Sequence, residues 1–188
     1  MTTTLSWQWS RFDALDAAQM YALLSLRQDV FVVEQQCIFP DIDWHDQNAH
    51  HLLGWNAGGD GGDGGDGGDG GDGGNGGIGG DGGIGSNRDS GGTPRLLAYL
   101  RCLPPGEKFP ECSIGRVVTS SVARGLGVGR ELVAQGLARL EGHYPGQPVR
   151  ISAQMHLEKF YGSFGFVTVS APYDEDDILH VEMLRPAR

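Results

Sequence analysis

The chain has 188 residues, a formal net charge of −10 and 32 glycines. Its three cysteines (Cys37, Cys102, Cys112) have no CxxC or metal-ligand spacing, which excludes a disulfide scaffold and a zinc ribbon, and the acidic balance argues against nucleic-acid binding, which rests on neutralising phosphates. The first residues lack a basic and apolar signal segment, and no run nears the roughly 20 apolar residues of a membrane span, so a cytoplasmic protein with no membrane partner is expected.

Residues 5–9 (Leu-Ser-Trp-Gln-Trp) alternate as a half-buried strand does. Asp13 or Asp16 caps a helix whose stripe carries Met20, Leu23, Leu24 and later Phe31. A polar, turn-rich segment, 37–48, holds Asp41, Asp43 and Asp46. Residues 50–56 and 95–102 read as the two strands of a hairpin. Between them lies a window, 58–92, in which 21 of 35 residues are glycine and seven are aspartate, mostly as Gly-Gly-Asp triplets. Glycine loses the most backbone entropy on ordering, and only Ile78 and Ile84 offer apolar area in return, so the window reads as a flexible, self-repelling surface loop. Calcium is the functional alternative for alternating Asp and Gly, although neither the EF-hand nor the nonapeptide repeat is matched. Closure entropy grows only with the logarithm of length, so stretching a tight turn this far costs about 2–3 kcal/mol.

Past the Pro104-Pro-Gly break, residues 113–119 form a buried strand. Val128, Leu132, Val133, Leu137 and Leu140 recur at helical spacing over 127–142. A strand follows at 149–153. Leu157, Phe160, Tyr161 and Phe164 make the stripe of a short helix that Gly165 ends. Strands at 166–169 and 179–183 flank an acidic turn, 174–177. The order is mixed α/β in a single domain, residues 5–186, with the glycine window inserted in it.

The chemistry concentrates in Ile114-Gly-Arg-Val-Val-Thr-Ser-Ser-Val-Ala-Arg-Gly-Leu-Gly-Val-Gly-Arg130, a strand, a glycine-spaced turn and a helix. Gly125, Gly127 and Gly129 let a ligand approach the backbone, and the helix behind them aims free N–H groups and the positive end of its dipole into the turn. Residues 113–130 hold Arg116, Arg124 and Arg130 and no acid, so a locally basic anion cradle sits inside an acidic protein. A P-loop is excluded because Gly129 is followed by Arg130 and Glu131, and neither register of the glycines completes GxGxxG.

Arg124-Gly-Leu-Gly-Val-Gly129 resembles the R/Q-x-x-G-x-G/A motif of the GNAT N-acetyltransferase superfamily, and Phe160-Tyr-Gly-Ser-Phe-Gly-Phe166 resembles its second signature. Leu26-Arg-Gln-Asp-Val-Phe-Val-Val-Glu-Gln35, Asp41-Ile-Asp43, His51-Leu-Leu-Gly54, Ile114-Gly-Arg-Val117 and Ala153-Gln-Met-His-Leu157 extend the resemblance to the ElaA subfamily over nearly the whole chain outside the window. The resemblance implies a mixed, mostly antiparallel sheet splayed between its fourth and fifth strands, with acetyl-CoA as co-substrate and no metal. Val117, Val118 and Thr119 would face the pantetheine arm. The amides of Gly125, Leu126, Gly127, Val128, Gly129 and Arg130 would take the pyrophosphate. Arg124 opens the cradle or serves as a surface ion-pair partner.

Acyl transfer to an amine needs proton removal from the amine, an oxyanion donor and a proton for the leaving thiolate. The resemblance assigns the last to Tyr161 and the second to strand backbone near Val118. For the base, Glu34, His51 and His156 are candidates beside a water chain. His50 and His51 lie on opposite faces of their strand, so only one can enter a cleft. Asp41, Asp43 and Asp46 read either as an amine-binding set or as an ordinary polar turn. Cys102 and Cys112 read as buried structural thiols. The expected activity is acetyl-CoA-dependent N-acetylation of an amine acceptor. A non-catalytic acyl-CoA sensor of the same fold and a scaffold that recruits partners through its Gly-Asp loop stand as alternatives.

Overall fold

The computed structural model describes residues 4–56 and 94–187. The glycine window, and the reading of it as a flexible insertion, lies outside those residues. Among the described residues run β1 (Leu5–Arg11), α1 (Ala17–Arg27), β2 (His50–Asn56), β3 (Leu96–Leu103), β4 (Cys112–Thr119), α2 (Val128–His143), β5 (Val149–Gln154), α3 (Glu158–Gly162), β6 (Val167–Thr168), β7 (Tyr173–Glu175) and β8 (Ile178–Arg185). They form one mixed sheet in the order β1-β2-β3-β4-β5-β8-β6, with β7 also paired to β8.

The sheet is sandwiched between helices because its central strands are apolar on both faces. In β2 the neighbours Leu52 and Leu53 point to opposite sides. Leu52 joins Leu100, Ile114 and Ile151 under α2, whose Leu132, Val133, Leu137 and Leu140 cover that face. Leu53 joins Tyr99 and Val118 under α1, with Leu23, Leu26 and Val30. β3 is buried at every position, as a strand covered on both faces must be. Each fully buried Leu or Val contributes about 1.5–3 kcal/mol. Gly136 lets α2 lie this close: a Cβ there would meet Leu100 Cδ2 at 2.8 Å.

Local signals set the helix ends. Asp16, not Asp13, caps α1, accepting from the Gln19 N–H while the Gln19 side chain accepts from the Asp16 N–H. Beyond Arg27 the coil widens into a π-helix, Gln28–Glu34, a departure that apolar spacing does not reveal. The helix expected through Phe164 stops at Gly162, and the strand expected at 166–169 is confined to Val167 and Thr168, with the Val169 N–H still donating to the Glu182 carbonyl at 2.9 Å. The acidic turn is tighter than its sequence suggests. β7 and β8 pair up to Glu175 and Ile178, and Asp176 and Asp177 take φ of 54° and 62°, as a two-residue hairpin requires.

Two irregularities open the sheet. β4 pairs with β5 in parallel at Cys112–Val149 and Ser113–Arg150 only, and past those residues the strands diverge. Opposite β3, the register of β4 slips between Tyr99 and Arg101, and Arg116 takes a left-handed φ of 51°. A bulge beside a splay turns side chains from both faces into one gap.

β2 and β3 pair in antiparallel, and the Asn56 N–H donates to the Arg95 carbonyl at 2.9 Å. The strand ends therefore already stand at hairpin distance. Replacing residues 57–94 by Asn-Gly is expected to leave the melting temperature and acyl-CoA affinity within error of the parent, or to raise the former by the closure entropy recovered. Insoluble protein, or lost binding measured by calorimetry, would show that the segment is needed.

Candidate active site

The strand–turn–helix cradle forms where β4 ends. Gly127 is the N-cap of α2 with φ 81°, and Gly125 has φ 75°. Both values lie in the left-handed region, where an L side chain costs about 1–2 kcal/mol. No heavy atom lies within 4 Å of a Cβ built at either position, so the space in front of the turn is open. The N–H groups of Arg130 and Glu131 fold back on the Gly127 carbonyl, whereas those of residues 125–129 bond to no other described residue. Free N–H groups at a helix start, open space and left-handed glycines fit a diphosphate.

Arg124 stands at the edge of this turn and donates to the Thr119 carbonyl. Its guanidinium also grips Glu34, with Nη1 2.5 Å and Nη2 2.8 Å from the two carboxylate oxygens. The expected surface ion pair is thus present, at the edge of the turn. Hydrogen bonding to Arg124 lowers the Glu34 pKa, which weakens the carboxylate as a base.

The splay between β4 and β5 opens a cavity of ≈ 180 Å³. Its walls come from both sheet faces: Ser113 and Arg116 of β4, Ser152 and Gln154 of β5, Phe31 of the π-helix and Tyr161 of α3. Tyr161 is 7% exposed, and no hydrogen bond ties its hydroxyl to another described residue. Burial pushes its pKa up to about 12, so the phenol keeps its proton. Of the expected pantetheine strand, Val117 lines the cavity, Thr119 is half-buried and Val118 is packed in the α1 core.

The three expected bases lie elsewhere. Glu34 is held at the cradle. His156 is exposed on a 3-10 turn outside the cavity wall. His51 is fully buried; its Nε2–H donates to the Asp46 carbonyl at 3.0 Å, and its Nδ1 accepts from the Tyr99 hydroxyl at 2.9 Å. Burial lowers its pKa to about 4, and with both nitrogens used it is a structural histidine, which corrects the expectation of a base there. His50 faces the other side, stacked on Trp9, as alternation requires.

The three aspartates of 41–46 also differ from both expectations. They form a buried ionic cluster with Arg27, Arg101 and Arg116. Asp46 accepts from Arg27 and Arg101 at 2.8 and 2.9 Å, and Asp43 accepts from both terminal nitrogens of Arg101 at 2.6 and 2.7 Å. These neighbours outweigh burial and hold Asp43 well below the usual carboxylate range and lower Asp46 as well. The carboxylates are already spent on arginines and are not a free amine-binding set. The cluster pins the loop that carries Cys37 and Phe39 to the cavity wall. Cys102 and Cys112 are buried, with thiol pKa values pushed up, in keeping with inert thiols.

The cavity has a further wall. Glu175, Asp176 and His180 from the β7–β8 hairpin line it. The Tyr173 hydroxyl donates to Ser152 Oγ at 2.5 Å, and Ser152 donates to Glu175 at 3.1 Å. His180 Nδ1–H donates to the Ile178 carbonyl at 2.8 Å, which leaves the Nε2 lone pair open. Alternation in Leu179-His-Val-Glu-Met183 carried the signal for His180, because Val181 and Met183 are the core face.

A mixed sheet parted between its central strands, with a free N–H cradle on one side of the gap and a protonated tyrosine inside it, defines the acyl-CoA N-acyltransferase class. A family model described as an acetyltransferase (GNAT) domain matches residues 107–185. ElaA of Escherichia coli is 34% identical, the alignment covering 96% of each chain, and a UPF0039 protein of Synechocystis is 35% identical over 96% of this chain and 94% of that one. Among solved structures, an acyl-CoA N-acyltransferase from Pseudomonas aeruginosa superposes with a TM-score of 0.74 at 37% identity, covering 97% of this chain and 99% of that one. The E. coli ElaA structure gives 0.73 at 34%, with the same coverage. The chain belongs to the ElaA family of GNAT acetyltransferases.

Proposed function

We propose that the protein transfers an acetyl group from acetyl-CoA to a primary amine by direct attack, in a site spanning the cradle and the cavity. The observation that carries this reading is Tyr161: a buried, unpartnered phenol on the wall of the gap that opens beside the cradle. Acetyl-CoA supplies an activated thioester carbonyl, and the rest is positioning and proton movement by the chain. The free amides of residues 125–129 hold the diphosphate; the Arg130 N–H, expected among them, is taken by the Gly127 carbonyl, and Arg130 serves through its side chain. Val117, Val118 and Thr119 offer strand backbone to the pantetheine arm and, near Val118, an oxyanion donor. His180 Nε2 takes the amine proton, directly or through one water, because it is the open lone pair on the cavity wall.

Tyr161 donates a hydrogen bond to the departing sulfur. With its pKa at about 12 against about 8.5 for an ordinary thiol, full proton transfer stays uphill even to the complete thiolate, and the phenol acts by hydrogen-bonding the charge that builds on the sulfur. Its contribution therefore belongs to the transition state. Tyr161→Phe is expected to lower kcat about tenfold to a hundredfold while acetyl-CoA affinity stays within twofold. Thiol release with an amine panel and calorimetry with CoA separate the two readouts. Unchanged turnover would assign Tyr161 to the core, and acetyl-CoA binding with no acceptor consumed would favour the sensor.

A further inference from the structure

The cavity has one wall of donors and one of acids. Ser113 sits on β4 at the last position paired with β5, and it is 3% exposed and lines the cavity. No hydrogen bond ties its hydroxyl to another described residue. A nearly buried hydroxyl without a partner, on the wall of an open cavity, is a donor awaiting an acceptor atom. Arg116, three residues on along β4, lines the same cavity. The left-handed bulge turns it so that Nε and Nη2 meet Asp41 and Asp43, while Nη1 has no acceptor among the described residues. Lys108, from the β3–β4 connection, lines the same cavity without an ion pair, its ammonium 5.4 Å from the Phe109 ring. The facing hairpin brings Glu175 and Asp176.

Charge selects the ligand. Arg116 belongs to a cluster of three arginines and three aspartates that balances itself, so the donor wall carries one uncompensated cation, Lys108. That suits a monoanion better than a phosphate dianion. Planar donors such as the Arg116 guanidinium match a carboxylate. A diamine would set one of its ammonium groups against Lys108, and a simple amine would leave Ser113 and Arg116 without acceptors. We propose that the acceptor is a small amino carboxylate, its carboxylate received by Ser113 Oγ, Arg116 Nη1 and Lys108 Nζ and its ammonium drawn in by Glu175 and Asp176. This rests on the reading of the cavity as the acceptor side of the transferase. In the transfer the amine nitrogen bonds to the acetyl carbonyl carbon and the carbon–sulfur bond breaks; of the two protons the ammonium gives up, one leaves on the thiol and the other passes through His180 to solvent.

The test uses the full chain with acetyl-CoA and four sets of probes: free amino acids, their amides, their N-acetylated forms and 1,4-diaminobutane. Thiol release should show at least one amino acid with kcat/KM about tenfold or more above that of its amide, and above that of the diamine. Lys108→Glu should raise KM for that amino acid about tenfold with kcat little changed and should narrow the gap to the amide. Ser113→Ala should act in the same direction. Thermal shift with acetyl-CoA, run on each variant, reports folding and the cradle independently. Amides or the diamine used as well as the free acids, or a gap untouched by Lys108→Glu, would overturn the proposal. No amino acid consumed while acetyl-CoA still stabilises the protein would overturn it too, leaving the acyl-CoA reading standing. Absence of any acetyl-CoA shift would count against that underlying reading instead.

Discussion

Asp46→Ala is expected to destabilise the fold by about 3–5 kcal/mol, because it leaves Arg27 and Arg101 buried with part of their counter-charge removed. Arg27 is 0% exposed and Arg101 2%, so water cannot take over the lost bonds. Asp46 joins both guanidinium groups through its carboxylate, and its carbonyl accepts from His51. For a domain of this size the loss lowers Tm by about 10 °C. The same centre sets the acid limit of the protein, in two stages. His51 has a folded pKa of about 4 against an ordinary 6.5, so between those values the unfolded chain takes up a proton that the folded chain refuses. Stability therefore falls as pH drops from 6.5 toward 4, by about 3 kcal/mol at 1.36 kcal/mol per unit. Asp43 and Asp46 are depressed from 3.8, so their contribution is complete above that value and is lost as pH falls through their lower folded values. Urea unfolding at pH 7, 5.5 and 4.5 on the parent, and at pH 7 on Asp46→Ala, measures both effects. A loss below 1 kcal/mol in the variant would mean that the arginines find other partners.

What the sequence revealed follows from the range of each interaction. The cradle was legible because its requirements are local: glycines two residues apart, a strand before them and a helical stripe after. The same holds for the Asp16 cap and for β2 and β3, each of which is a short apolar run legible on its own side of the window. The ionic cluster was not legible. Asp41 and Asp43 meet Arg116 more than seventy positions away, and nothing near the aspartates marks them as partners. Glu34 was read as a free carboxylate for a like reason, since Arg124 is 90 positions distant. The histidines show a subtler limit. Alternation separates the two faces of a strand, and it did so for His50 and His51, but it does not say which face is core and which is cavity. His51 fell on the sealed side, whereas His180, in the strand expected at 179–183, lies on the cavity wall. The cavity itself depends on where two strands stop pairing, a property of the sheet and not of either strand.

Gly127→Glu is expected to reduce acetyl-CoA affinity by a hundredfold or more while costing the fold only about 1–2 kcal/mol. The small term comes from φ: position 127 is left-handed, but a Cβ there meets no heavy atom within 4 Å, so the strain is conformational and not steric. The large term comes from charge. A carboxylate projecting from the cradle would stand near 4 Å from a diphosphate, where like charges at an effective dielectric of 20 repel by about 4 kcal/mol before screening. Part of the positive charge that could offset it is already used, because Arg124 shares its guanidinium with Glu34, and the uncompensated cation left is Arg130, which bonds only the neutral Ser163 and lies over the Phe164 ring. That balance predicts an opposite effect for Glu34→Gln, which takes one negative charge away from the edge of the same turn. The Arg124–Glu34 pair is nearly half exposed, with side-chain accessibilities of 41% and 46%, so it is worth at most about 1 kcal/mol to the fold. Its removal should therefore tighten acetyl-CoA binding several-fold with little change in Tm. Gly127→Ala, which carries the φ penalty without the charge, should bind within about fivefold of the parent. Calorimetric titration at 50 and 200 mM salt distinguishes the effects, since the Gly127→Glu deficit should shrink with screening. Equal affinity in Gly127→Glu and the parent would place the diphosphate elsewhere, and with it the direction from which the thioester enters the gap between β4 and β5.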